Sequence, residues 1–325
     1  MKSIIFYSVV FVLLASSSVA QQDIFFSNYS SNYTFINGSS VGTQERTNVG
    51  LLYRHQWTGN NAPRTTLLNY SGFIGDPVLS GSRYKSSVGA IRMPGSYKPR
   101  SSRYRKNRKT VKHGLHLNVM SDEAGAFNRL DLRTGYSAHL QLADNLFAGI
   151  GPTIGLSRHQ LDLVNEDFEL QNDPRYTDIM SGGNEATYLD IHFGGTVYNE
   201  FFYLGFSVND IGRIVLSNAA LYESQAHFYV IGGGVIPISQ GWDVTANTMF
   251  VSTQNAPWGL DLNANLLYNK RHSIGLGYRK NTCSYVRLGM GILENLVLSY
   301  AFEIPTSDYM RVAGASHELS LVLNL

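Results

Sequence analysis

Charge, cysteine and long apolar runs are all scarce in this chain. Only 15% of its 325 residues are charged, against about a quarter in an ordinary soluble domain. One cysteine, Cys283, excludes an intramolecular disulfide framework and any site built from several thiolates. It falls at an expected loop tip and reads as a bystander thiol. Beyond the first twenty residues no stretch reaches the ~18–20 continuous apolar residues that a membrane helix needs. Nine histidines are present, yet no HxH or HExxH spacing joins them, and neither a phosphate loop nor a GxSxG elbow occurs. These absences remove a helical membrane protein, a disulfide-stapled scaffold and a motif-bearing zinc site from consideration.

What the chain does have is glycine (31), tyrosine (20) and an export signal. Lys2, the apolar run from Ile4 to Ala15 and Ser18-Val19-Ala20 before Gln21 read as a secretory signal peptide over 1–20. Asn28, Asn32, Asn37 and Asn69 lie in Asn-X-Ser/Thr sequons, which chance explains in a chain this rich in asparagine.

After residue 44 the dominant pattern is alternation. In 258–268, Leu260, Leu262, Ala264 and Leu266 oppose Asp261, Asn263 and Asn265; in 127–142, Leu130, Leu132, Tyr136, Leu140 and Leu142 oppose Asp131, Arg133, His139 and Gln141. Strand 187–198 sets Leu189, Ile191 and Phe193 against Tyr188, Asp190 and His192, and 315–325 sets its leucines against Glu318, Ser320 and Asn324. Period two means strands. About fourteen are expected, at 45–57, 64–73, 112–121, 127–142, 145–161, 187–198, 201–209, 225–238, 241–253, 258–268, 271–279, 283–293, 295–304 and 315–325, each near the ~9–11 residues that cross a bilayer when tilted.

Their connections alternate between tight turns, such as Asn199-Glu200 and Asn269-Lys270-Arg271, and segments that are mostly longer, such as 164–186 and 305–314. That is the layout of an outer-membrane β-barrel with short periplasmic turns and longer extracellular loops. Closure also removes the edges that so many hairpin-linked strands would otherwise expose. The expected architecture is therefore an all-β, transmembrane antiparallel barrel over 45–325, apolar face to lipid and polar face to the lumen, with both chain ends on the periplasmic side. The aromatic-rich segment 21–44 is expected to plug the barrel or to cap its periplasmic mouth.

One connection breaks the alternation. By parity 74–111 should be a tight periplasmic turn, yet it carries Arg83, Lys85, Arg92, Lys98, Arg100, Arg103, Arg105, Lys106, Arg108 and Lys109, ten of the chain's 26 Lys and Arg residues, and no acid after Asp76. Such runs are solvated loops or interaction tails. Export argues against nucleic acid as the partner. A flexible loop without a dedicated partner, a contact for an acidic protein or a lipid phosphate, and a segment folded into the lumen remain open. If there is a partner contact, Arg100, Arg103, Arg105, Lys106, Arg108 and Lys109 are its candidate residues.

No catalytic constellation is expected, and no cofactor. The inward row Tyr188, Asp190 and His192 would need a nucleophile within hydrogen-bond reach to form an embedded hydrolase; lumen-filling polar side chains explain it without one.

Several stretches together resemble one family. "RTNVGLLYRHQW" (Arg46 to Trp57), "HGLHLNVMSDEAG" (His113 to Gly125), "DLNANLLYNKRHSIGLGYR" (Asp261 to Arg279), the terminal "SHELSLVLNL" and the opening "DIFFSNY" (Asp23 to Tyr29) resemble the PorP/SprF outer-membrane proteins. Ile24 and Gly38 stand where that family usually has proline, and 74–111 is longer than its usual connection. The resemblance implies a non-enzymatic role in the type IX secretion system and the gliding machinery linked to it. It implies as partners a large secreted adhesin bearing a C-terminal sorting domain, and the periplasmic ring or peptidoglycan-binding components. It transfers no catalytic residue. A channel for small solutes is the alternative reading of the same barrel.

Overall fold

The computed structural model describes residues 24–42, 47–58, 62–74, 111–143, 145–162, 184–217, 225–254, 256–306 and 314–325. Alternating sequence becomes fourteen strands: β1 (Asn48–His55), β2 (Arg64–Phe73), β3 (Val111–Ala124), β4 (Phe127–Ala143), β5 (Leu146–Leu161), β6 (Glu185–Tyr198), β7 (Phe202–Val215), β8 (His227–Ser239), β9 (Trp242–Thr253), β10 (Gly259–Tyr268), β11 (His272–Arg279), β12 (Cys283–Gly291), β13 (Leu296–Pro305) and β14 (Ser316–Asn324). Each pairs antiparallel with its neighbours, and the sheet closes on itself where β1 meets β14. That seam runs in register from Asn48 opposite Asn324 to His55 opposite His317. Closure lets backbone N–H and C=O groups find partners within the sheet, the condition for a β-structure in hydrocarbon.

The two faces separate as the alternation requires. Asp261 is 0% exposed and faces the lumen, whereas Leu262 beside it is 44% exposed and faces outward. Asp131, Arg133, His139, Asp190, His192, Glu318 and Ser320 are likewise buried inside, while Leu130, Leu132, Ile191, Phe193, Leu319 and Leu321 form part of the outer apolar band. The lumen is not purely polar, however. Leu52, Leu67, Met120, Ile231 and Met249 also point inward and are buried.

Strand ends differ from expectation where local geometry intervenes. The segment 201–209 extends to Val215, because a bulge between Ile191 and Phe193 of β6 absorbs the extra residues of β7. Asp210 takes a positive φ of 57° there, and the break in alternation lets both Asp210 and Arg213 face inward. Such a bulge re-aims side chains. Cys283 is not at a loop tip: it is the first residue of β12 and is buried. The basic residues Arg100, Arg103, Arg105, Lys106, Arg108 and Lys109 lie outside the described residues.

Strand direction defines a turn end, where β4–β5, β6–β7, β8–β9, β10–β11 and β12–β13 are joined, and a loop end opposite. The last residue stays at the turn end, Leu325 donating its N–H to Thr47 O at 2.8 Å. The described chain begins elsewhere. Phe25 lies at the loop end, beside Arg54 and Gly259, because residues 24–42 run through the lumen; the chain's first residues, expected on the turn side, lie outside the described residues.

Candidate functional site: a plugged lumen

Residues 24–42 form a compact rod of short turns. Tyr29–Ser31 is a 3-10 turn, α1 (Tyr33–Ile36) a single helical turn, and Gly38–Gly42 a second 3-10 turn. No stretch this short is stable alone; the barrel wall supplies the partners. Phe26, Tyr29, Tyr33, Phe35 and Ile36 are buried in one cluster with Leu52, Leu67, Met120, Tyr198, Tyr203, Tyr229, Ile231, Met249 and Val251 of the strands. The inward apolar residues of the wall are thus the seat of the plug.

At the loop end the plug is held by charge. Arg54 of β1 makes a two-pronged pair with Glu303 of β13, at 2.9 and 2.7 Å, and reaches Glu318 of β14 at 3.4 Å. Arg279 of β11 bridges Asp261 at 3.0 Å and Glu303 at 3.5 Å. These groups also grip plug atoms. Glu318 accepts the backbone N–H groups of Ser27 and Asn28 at 2.9 and 2.6 Å. Glu303 accepts the Ser27 hydroxyl at 2.5 Å, and Arg54 donates to the Phe25 carbonyl. Burying ions costs several kcal/mol each unless geometry and further hydrogen bonds compensate. Here the compensation passes through the plug backbone, so network and plug depend on each other.

The opposite wall carries a second network. Arg129 pairs with Asp131 through two bonds of 2.9 and 2.6 Å, and Arg213 pairs with Asp190 through bonds of 2.6 and 3.0 Å. Arg133 joins Asp131 at 3.2 Å, donates to the Phe35 carbonyl at 3.2 Å, and lies 4.2 Å over the Phe35 ring. Ser207 and Asn209 both donate to the Ile36 carbonyl, at 2.8 and 3.2 Å. The exposed carbonyls at the end of α1 are thereby satisfied by the wall.

Towards the turn end the contact becomes backbone on backbone. A Cβ on Gly151 of β5 would lie 2.6 Å from the Ser39 nitrogen and 2.7 Å from the Gly38 carbonyl carbon, so only glycine admits the plug this close. The Asn37 amide donates to the carbonyls of Gly195 and Phe206 and to the Thr196 hydroxyl, at 3.3, 3.2 and 3.2 Å. Asn28, Asn32, Asn37 and Asn69 are all buried in the lumen, and Asn69 donates to Asn32. Glycan acceptors sit on surfaces; these four asparagines pack the plug.

The row Tyr188, Asp190 and His192 does face inward together. Asp190 is committed to Arg213 and to the Ser157 hydroxyl, while His192 Nδ1 accepts the Asp210 N–H at 3.0 Å. A Ser–His contact does occur, between Ser137 Oγ and His139 Nε2 at 3.1 Å. His139 Nδ1 has no hydrogen-bond partner among the described residues, and both side chains are fully buried. Among the described residues no cluster of His, Cys, Asp and Glu could hold a metal ion. The described lumen groups named above hold residues 24–42 in place.

Sequence comparison matches residues 18–323 to the family described as type IX secretion system membrane protein PorP/SprF. Among curated proteins none matches the chain. Solved structures similar to it include the Ralstonia pickettii toluene transporter TbuX, at 12% identity and a TM-score of 0.48, covering 95% of this chain and 96% of that one. Others are the Pseudomonas putida toluene transporter TodX, at 10% and 0.46 with 95% of each chain covered, and the Acinetobacter baumannii outer membrane protein Omp33, at 8% and 0.44 with 87% of this chain and 100% of that one covered. The family match and the closed barrel with its apolar outer band place the chain in the outer membrane.

Proposed function

Because the chain belongs to the PorP/SprF family of type IX secretion system membrane proteins, we propose that it serves that apparatus as a non-enzymatic outer-membrane anchor. In this reading it supports export or surface attachment of a large secreted adhesin through the adhesin's C-terminal sorting domain. Periplasmic ring or peptidoglycan-binding components hold its turn end, and the basic segment around Arg100–Lys109 is one contact. The observation that supports an anchor over a solute channel is the filled lumen. Glu318, Glu303, Arg54 and Arg133 all bind plug atoms, which leaves the rims and loops as the surfaces a partner can use.

The test is purification of the intact protein from its native membrane in mild detergent, with conductance of the same preparation in planar bilayers. An anchor brings down a secreted polypeptide or periplasmic proteins in fixed ratio and conducts little. A barrel that comes alone and passes small solutes at steady conductance is a channel instead.

A further inference from the structure

The outer face of the barrel is not evenly filled. On β8 to β11 small residues fall side by side: Gly234 pairs with Ala246, Ala246 with Ala264, and Gly232 with Thr248. An open-sided depression of about 630 Å³ results, with Leu262, Leu276 and Tyr278 among its lining residues. Lipid-facing strands of a barrel ordinarily carry large apolar side chains; a hollow here is a place where hydrocarbon approaches the backbone closely.

Directly above it, towards the loop end, stands a cation. Lys280, the turn residue just past the end of β11, donates its backbone N–H to Leu260 O of β10 at 2.9 Å, which holds it at the loop end of the strands that carry Leu262 and Tyr278. It is two residues beyond Tyr278, about 7 Å along the strand. Its ammonium lies 3.0 Å over the ring of Trp258, itself 47% exposed and packed 5.9 Å from Phe250. Among the described residues Lys280 makes no ion pair. A tryptophan belt marks the membrane–water boundary in such barrels, so the cation stands at headgroup level over an apolar hollow at acyl-chain level.

We propose that this face is a binding site for one anionic lipid of the loop-side leaflet, its acyl chain in the depression and its phosphate on the Lys280 ammonium. The complementarity is specific in both parts: an apolar hollow takes hydrocarbon, and a cation at the boundary with no ion pair among the described residues takes a net negative headgroup. A protein partner is the poorer occupant. The depression has eleven lining residues, where a specific protein interface uses about 20–30 on each side. The site is independent of the secretion role and would hold for a channel as well.

The experiment is native mass spectrometry of the full protein released from nanodiscs containing equal parts phosphatidylglycerol and phosphatidylcholine. Folding of each variant is checked by its heat-modifiable mobility on gels. The parent is expected to retain one phosphatidylglycerol, about fivefold over phosphatidylcholine, the ratio that one basic residue near a membrane surface supports. Lys280→Gln should bring the ratio close to one, while Lys270→Gln, at the turn end, should leave it unchanged. Ala246→Leu with Ala264→Leu, both on the outer face, should reduce retention of either lipid. No preference in the parent, an unchanged preference in Lys280→Gln, unchanged retention in the filled-groove variant, or a second protein copy in place of lipid would each overturn the proposal.

Discussion

The Glu318 carboxylate accepts the backbone N–H of Asn28 at 2.6 Å, joining the final strand to a segment 290 residues earlier. Between those two residues lie β1 to β13 and the start of β14. The contact therefore forms only once β14 has closed against β1, and the plug and the seam report on each other. Glu318→Ala removes the acceptor for two plug amides and leaves Arg54 with one carboxylate. Breaking a buried pair of this kind costs about 3–5 kcal/mol. The expected outcome is a barrel that still folds but whose residues 25–28 exchange amide hydrogens quickly, read by hydrogen–deuterium exchange. Protection equal to the parent would show that the ionic network does not hold the plug.

A second prediction isolates the backbone contact at the other end. Gly151→Val places a side chain where Ser39 and Gly38 now touch the β5 backbone. Overpacking costs about 1–3 kcal/mol in ordinary cores, and here it falls on the plug, which is the movable part. Exchange should rise across residues 37–42 while residues 25–28 stay protected. Exchange unchanged in both segments would mean that the lumen wall yields instead.

A third prediction concerns the two faces of β10. Leu262→Arg puts a charge in lipid and should cost about 2–4 kcal/mol if it lies at the bilayer midplane, measured by reversible urea unfolding in vesicles. From the alternation alone Asn263→Arg is expected to be much better tolerated, since that side chain faces the lumen. The filled lumen revises this: Asn263 is buried, accepts from Asn247 at 2.9 Å and donates to the Tyr29 hydroxyl at 2.9 Å. Asn263→Arg should expel the plug at Tyr29. The same substitution in a chain lacking residues 24–42 should be nearly silent, whereas Leu262→Arg should be equally costly in both. Equal damage from Asn263→Arg with and without the plug would refute the assignment.

These contrasts show what the sequence made legible. Leu260 to Leu266 alternate cleanly with Asp261, Asn263 and Asn265, so strand, register and face could all be read there. At Leu51-Leu52 and Leu67-Leu68 the alternation is blurred, since Leu52 and Leu67 turn inward to meet the plug. A local period cannot announce a partner 20 or more residues away. The bulge in β7 was hidden for a related reason: Asp210 and Arg213 look like loop residues until Asp190 and His192 supply their partners. The plug itself has aromatics at Phe25, Phe26, Tyr29, Tyr33 and Phe35 but no period. Its composition fitted either plugging or capping, and only the positions of Glu318, Arg133 and Gly151 decide between them.

The last prediction returns to the basic segment. Ten Lys and Arg residues without acidic counter-charge occupy a connection where a tight turn would suffice. The proposal is that Arg100, Arg103, Arg105, Lys106, Arg108 and Lys109 meet an acidic periplasmic protein or lipid phosphate. Single exposed pairs contribute only about 0–1 kcal/mol, so the contact must be multivalent to matter, and it must weaken with salt. The screening length falls from about 8 Å at physiological ionic strength to about 3 Å at 1 M. Replacing the six with Ser and Gly should leave the heat-modifiable barrel intact, because β2 ends at Phe73 and β3 begins only at Val111. Recovery of co-purifying partners should fall at physiological salt to the level the parent shows at 1 M. If the variant recovers partners as well as the parent at both salt concentrations, the segment is a solvated loop and the contact is elsewhere.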